Sequence, residues 1–483
     1  MELDQKVELP KGSKLQVALA FESTFGQHQL GRFRLSVTRA ANPTGESFLP
    51  EAVAAALVIP ADKRSGEQAA DVRKHYREQI SPEMRKLKAE LAALVMRRDA
   101  LDSQIPTSMV MQESPEPRDT FLLLRGAYDK KGDKVAAAVP SFLPSLPEGA
   151  PSNRLGLARW LVDPRHPLTA RVTVNRYWQL LFGTGLVKTA EDFGTQGELP
   201  SHPELLDWLA VEFRGQGVGD RGQGAGDTWD VKRLIRLLVS SSTYRQSSAV
   251  TGELVAKDPE NRLLARGPRF RLQAEFIRDQ ALFVSGLYDR RIGGKSVSPY
   301  QPAGLWEELM SRADGDNWTA QKYSQDHGAD LYRRTMYTFW KRTCPPPSLA
   351  TLDAPDRETC TVRRSRTNTP LQALVLMNDP TYVEASRKFA ERILREGGDS
   401  TAERLAFAFQ SVTSRPPADA EVAVLTRILD RQRASFRENP EAVKKLLAIG
   451  ELPADAALDP AELAAWAMVA SAILNTDEAV TKG

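Results

Sequence analysis

Ser201-His202-Pro203-Glu204-Leu205-Leu206-Asp207-Trp208-Leu209-Ala210-Val211-Glu212-Phe213 is the stretch that decides the fold class. It has the form of a helix start followed by a buried stripe. Ser201 is placed to take an early amide and Glu204 to reach back, as in a capping box, and Leu205, Leu206, Leu209 and Phe213 then fall on one face. The device recurs at Ser400 with Glu403 and at Asp459 with Glu462. Asp379-Pro380 reads as an N-cap followed by a first-turn proline, and Asp230 precedes Val231, Leu234, Ile235 and Leu238. The final helix is expected to bury Trp466, Val469 and Ile473. Residues 151–483 therefore read as one large multi-helix domain, and the fold class as mainly α.

Upstream, the pattern changes. Residues 113–150 suggest a short β-hairpin linker, with apolar runs at 121–124 and 135–139 on either side of Asp129-Lys130-Lys131-Gly132. In 60–112, Met84, Leu87, Leu91, Leu94, Leu101 and Ile105 are spaced by threes and fours, broken by Arg98, which is a coiled-coil seam. Ser81 followed by Pro82 and Glu83 marks a helix start, so 67–80 and 82–105 are expected to form a helical-hairpin arm packed on the body. A spacer, a docking arm or self-association would use the same seam. In 1–50, Leu15, Val17, Leu19 and Phe21, then Phe33, Leu35 and Val37, alternate around a turn-prone stretch. This predicts a β-hairpin. Two strands are marginal alone, so it is read as the C-terminal remnant of a truncated β-sandwich.

A chain of 483 residues has room for more than one domain. With 65 basic and 62 acidic side chains, its net charge of +3 gives no global reason to expect nucleic acid or an anionic membrane as partner. No stretch approaches the roughly 20 apolar residues of a membrane span, and no signal follows Met1, so the chain as given reads as soluble and without an address. Cys344 and Cys360 cannot build a four-cysteine zinc site or a c-type haem attachment. The five histidines lack His-x-x-x-His or His-Glu-x-x-His spacing. Neither metal nor cofactor is expected, and Cys360 is expected to be free and buried. The tandem repeat Arg214 to Asp220 and Arg221 to Asp227 is rich in glycine and poor in apolar residues, which predicts a flexible surface loop.

The densest polar stretch runs from Tyr332 to Asn378. Arg333, Arg334, Arg342, Arg357, Arg363, Arg364 and Arg366 are interleaved there with Asp353, Asp356, Glu358, three consecutive prolines and Asn368. Guanidinium forks can hold a carboxylate, sulfate or phosphate, or they can lock loops together by pairing with those acids. The lock is placed first, because irregular buried loops need partners for their backbone groups. As ligand-binding candidates we take Arg333, Arg334, Arg357, Arg363, Arg364, Arg366 and Asn368. Asp192 with His202, and Asp353 or Glu358, are the candidate acid and base groups for glycan cleavage. Of the aromatic residues, Trp318 and Tyr323 are expected near the surface.

The same stretch carries a resemblance. Tyr332-Arg333-Arg334, Tyr337-Thr338-Phe339-Trp340-Lys341-Arg342, Pro345-Pro346-Pro347, Asp353-Ala354-Pro355 and Arg366-Thr367-Asn368-Thr369-Pro370-Leu371-Gln372 are similar to the signature of the C-terminal domain of unknown function in exported planctomycete cytochrome-c-domain proteins. Asn153-Arg154-Leu155, Val174-Asn175-Arg176, Gly183 with Gly185-Leu186-Val187, and Ser201 to Asp207 match in order. The resemblance implies organisation more than chemistry. It points to a periplasmic or extracellular module of a larger protein, whose N-terminal haem and first helical domains are absent from this chain. Arginine density and the sandwich remnant, rather than the resemblance, lead to the expected function, binding of anionic polysaccharide, or of a partner domain, through the arginine-rich loops. A glycan-acting hydrolase and a purely structural scaffold for the haem domain are the alternatives.

Overall fold

The computed structural model describes residues 10–14, 16–18, 49–105, 107–116, 118–215, 229–310 and 322–483. Almost all of the β-hairpin expected in 1–50, Trp318, and the glycine-rich repeat beyond Gly215 lie outside the described residues. The chain divides into two compact units, residues 1–110 and 111–483.

The first unit holds α1 (Glu51–Leu57), α2 (Gly66–His75) and α3 (Pro82–Asp102). Ser65 and Gln68 close a capping box at the start of α2. A single π turn, Tyr76–Ile80, leads to Ser81, which is extended and accepts from the Met84 amide at 3.3 Å. Arg85 Nε and Lys88 Nζ donate back to the Gln79 and Glu78 carbonyls at 2.9 and 3.0 Å and staple the junction. The seam is where the periodicity puts it, but α3 buries none of its residues. The expected helical hairpin does not cover it. The backbone stays helical through Ile80 and only Ser81 breaks it, whereas an antiparallel helix pair needs a loop of about two to five residues.

The second unit opens with an antiparallel pair, β1 (Thr120–Leu123) and β2 (Lys131–Val135), in which Thr120 faces Val135 and Phe121 faces Lys134. β2 starts before the apolar run on which the expectation rested. A turn closed by Leu124 N donating to Lys130 O at 2.9 Å pulls the charged residues into the strand. Helices α4 (Arg154–Leu161), α5 (Thr169–Phe182), α6 (Pro203–Arg214) and α7 (Val231–Ser240) follow. Val174, Trp178 and Phe182 of α5 pack with Leu206, Leu209 and Phe213 of α6 and with Leu234 and Leu238 of α7 in one core.

A second core gathers around the C-terminal helices. The helices that follow are α8 (Gly252–Lys257), α9 (Ala274–Ser285), α10 (Leu305–Met310), α11 (Pro347–Thr351), α12 (Pro370–Asn378), α13 (Pro380–Glu396), α14 (Thr401–Thr413), α15 (Asp419–Glu438), α16 (Pro440–Leu447), α17 (Pro460–Leu474) and α18 (Asp477–Val480), and all but α8 and α10 contribute to this core. Trp466, Val469 and Ile473 of α17 are fully buried against Phe389 and Ile393 of α13 and Leu429 of α15. Each such side chain stabilises the fold by about 1.5–3 kcal/mol. The caps at Asp230, Asp379, Ser400 and Asp459 all form.

The deciding stretch departs from its reading at one residue. α6 does bury Leu206, Leu209 and Phe213, yet its N-cap is His202 and no side chain caps it. Ser201 donates instead through its amide to Leu186 O at 2.9 Å, and its hydroxyl lies 3.0 Å from His202 Nδ1. A tertiary contact has replaced the local one.

Inside the second core, Glu384 is completely buried and accepts from Tyr300 and Tyr332 hydroxyls at 2.9 and 3.0 Å and from Leu452 N at 2.9 Å. Arg387, equally buried, lies 3.5 Å from Glu384 and 3.2 Å from Glu391. Gly450 has φ +94° and passes so close that a Cβ there would meet Glu384 Cδ at 2.2 Å, so only glycine fits. Cys344 is the buried cysteine and Cys360 the exposed one, both free. Cys360 is free as expected but not buried, because it sits in a run of exposed loop residues, 356–361. Tyr323 is half-buried, its hydroxyl bonded to Pro299 O and its ring against Trp306. No described helix is long and apolar enough to cross a membrane.

Candidate anion-binding cleft

Three separated segments build a cleft of about 290 Å³ in the second unit. The first is the end of α5. Gly183 terminates the helix, and the chain turns back beneath buried Asn175, whose amide donates to Val187 O at 3.0 Å while Val187 N donates to its Oδ1 at 2.9 Å. Gly185 lies so close to this clasp that a Cβ would stand 2.5 Å from Val187 O and 2.7 Å from Asn175 Nδ2. Trp178 and Phe182, stacked at 4.0 Å, form the apolar floor, and Ser201 stands in the wall.

The second segment, 258–270, is an irregular loop tied to itself. Asp258 accepts from the Arg262 and Leu263 amides at 2.8 and 2.7 Å, and Arg266 donates to Asp258 O and Pro259 O at 3.0 and 2.9 Å. So held, the loop brings Arg262 and Arg269 to the cleft. Arg269 pairs with Asp477. The Nη1 of Arg262 is shielded from water without a hydrogen bond; Glu198 is its ion partner at the longer distance of 3.7 Å. The loop runs into β3 (Phe270–Arg271), which pairs antiparallel with β4 (Thr481–Lys482), Phe270 opposite Lys482.

The third segment contributes Arg366. Its guanidinium lies over the Phe270 ring, 4.4 Å from the centroid, and donates to Gly183 O at 3.1 Å. Desolvation lowers its pKa below the usual arginine value. Among the described residues no carboxylate reaches it within ion-pair distance. The carboxylate in the cleft lining, Glu260, is held by Lys188 at 2.8 Å.

The other arginines of the segment are arranged differently. Arg333 is 4% exposed; it donates to the Lys295 and Arg291 carbonyls at 3.0 and 3.3 Å and to that of Gly293, with its guanidinium 3.8 Å from the Tyr337 ring centroid. Arg364 pairs with Glu275 at 2.6 Å. Arg334 is half-buried beside Tyr288. Arg357 lies over Trp340 at 4.2 Å, and Arg363 is exposed. Asn368 Oδ1 accepts from Arg271 at 3.4 Å. Asp353, in a left-handed conformation with φ 64°, accepts from Thr367 N at 2.7 Å, from the Thr367 hydroxyl and from Gln372. Glu358 faces Arg342 at 3.6 Å on the surface. Asp192 Oδ1 accepts from Gly194 N at 2.7 Å, and His202 contacts Ser201. Of the candidate residues the structure thus brings Arg366 to the cleft, where Ser201, the neighbour of His202, also stands; Asp353 and Arg364 meet Arg366 at a second, smaller pocket, and the rest are dispersed.

Arg262, Arg269 and Phe270 escaped the sequence reading. The signal was available in the clustering of Arg262, Arg266, Arg269 and Arg271 around Gly267-Pro268. Among the described residues, no three His, Cys, Asp or Glu side chains converge as a metal site would require.

No curated protein and no solved structure matches the chain. A family model does match, over residues 153–429, which span α4 to α15 and include the α5 turn, the 258–270 loop and Arg366. The chain belongs to that family, PSD1, described as a protein of unknown function (DUF1553).

Proposed function

We propose that the protein is a binding module for anionic polysaccharide, working outside the cytoplasm as part of a larger exported assembly, and that the cleft takes one charged sugar residue. The observation that carries this is Arg366, a partly desolvated guanidinium in the cleft wall with a carbonyl and an aromatic face as neighbours and no carboxylate to neutralise it. A sulfate or uronate would supply the missing charge bidentately. Arg262 lines the cleft as a second guanidinium, and the aromatic floor suits the apolar face of a sugar ring. The volume lies near the lower end for small-molecule sites and fits a single ring rather than a long segment.

The test is a thermal-shift and calorimetric titration with neutral, sulfated and uronic oligosaccharides at low and moderate salt. A ligand that binds only the folded state raises its apparent stability. Anionic sugars alone should give a salt-sensitive shift, reduced at least about tenfold in affinity by Arg366→Ala and unchanged by Arg363→Ala. Unaltered binding in Arg366→Ala would overturn the assignment. A second reading, cleavage of the bound glycan, is favoured by the contact between His202 and Ser201 at the wall; release of reducing ends from the same sugars tests it.

A further inference from the structure

We infer that α3 pairs in parallel with the α3 of a second copy of this chain, forming a two-stranded coiled coil. The helix begins at a firm cap, Ser81 with Pro82, and runs for 21 residues, a rise of about 32 Å. Along it Leu87, Leu91, Leu94 and Leu101 are 52, 62, 62 and 62% exposed, and Ile105 just beyond it is 56% exposed. Contiguous apolar surface of this kind on a folded chain marks an interaction site. The spacing specifies which. Met84, Leu91, Arg98 and Ile105 take one seam position of a seven-residue repeat and Leu87, Leu94 and Leu101 the other, which is the pattern that makes two helices supercoil.

The flanking charges choose the partner and the direction. In a parallel, in-register pair, each residue just before the first seam position faces the residue five places later on the other helix. Glu83 then meets the partner's Lys88, and Arg97 meets the partner's Asp102, so two opposite-charge contacts form and each is repeated by symmetry. Glu90 meets the partner's Val95, which is neutral. An antiparallel pair centred on the same seam offers Glu90 against the partner's Arg97, repeated once. Arg98, the interruption in the seam, is turned toward Asp99 of its own helix at 2.6 Å, which directs its charge off the apolar stripe. A charged residue at this position fixes register at a cost in stability, so the dimer should be concentration-dependent. Self-complementary charges on an exposed seam are what an isologous two-fold interface requires. The sugar-binding proposal does not depend on this pairing, though two chains would carry two clefts to one polymer.

The experiment uses the full chain with Cys360→Ser, leaving buried Cys344 in place. Sedimentation equilibrium across the micromolar range should show the mass rising above the 53.5 kDa of one chain, while Leu91→Lys with Leu94→Lys, both surface changes that leave the fold intact by circular dichroism, stays at one chain. Mild oxidation should join Leu91→Cys to itself and Leu94→Cys to itself. A wild-type mass fixed at one chain throughout, or a double lysine variant that dimerises as well as wild type, would overturn the proposal. Disulfides forming only in a mixture of the Leu91→Cys and Leu94→Cys chains would overturn the parallel arrangement in favour of the antiparallel one.

Discussion

Arg333 and Arg366 come from one arginine-rich segment, and their surroundings differ in kind. Arg333 is nearly inaccessible and spends its donors on the carbonyls of Arg291, Gly293 and Lys295. Arg366 has one carbonyl and one ring. The first holds an irregular loop whose backbone groups have no helix or sheet to satisfy them. The second is a charge placed at an opening. Arginine density therefore announces two kinds of work at once, and only the partners tell them apart.

That difference can be broken by substitution. Arg333→Ala should have the largest effect, a loss of about 3–5 kcal/mol, because it strands buried carbonyls and removes the stacking on Tyr337. Denaturant midpoints measure it, and a loss below about 1 kcal/mol would put Arg333 in the same class as Arg366. Arg364→Ala leaves the half-buried Glu275 carboxylate without its 2.6 Å partner and should cost about 1.5–3 kcal/mol by the same assay. Arg366→Ala should cost under about 1 kcal/mol of stability while abolishing the salt-sensitive sugar response, so the two readouts separate. The smallest effect is expected at a surface fork. Arg415 holds Glu421 through bonds of 2.8 and 2.7 Å and lowers its pKa from 4.5 to about 2. A depressed carboxylate contributes stability that is complete above its ordinary value and lost as pH falls through the folded one. Glu421→Gln should flatten the decline of the melting temperature between about pH 4.5 and pH 2.

The helices were legible because their signals are local. Ser400 and Glu403 find each other across one turn, and the other amide that reaches Glu403, that of Asp399, is local as well. Ser201 carried the same local signal and failed, since Leu186 and His202 reach its polar atoms first. Cys360 was misjudged for a related reason: composition gives no clue to which of two cysteines a loop turns outward. The seam of α3 was plain from spacing, but whether anything covers it depended on a one-residue break at Ser81, too fine for a periodicity argument. The cleft was hardest. Its glycines, its loop arginines and Arg366 each looked ordinary in isolation, and their meeting is a property of the assembled helices.

The pairing of β3 with β4 has a consequence for the order of events in folding. Arg366 reaches Gly183 across 183 residues, and Arg269 reaches Asp477 across 208. Closing such spans is entropically costly and comes after the capped helices have formed. The cleft is thus expected to close late, when segments that are each held locally are brought together. Ligand binding would then recover after helical circular dichroism in a refolding experiment, making occupancy of the cleft a reporter of finished chains rather than of collapsed ones.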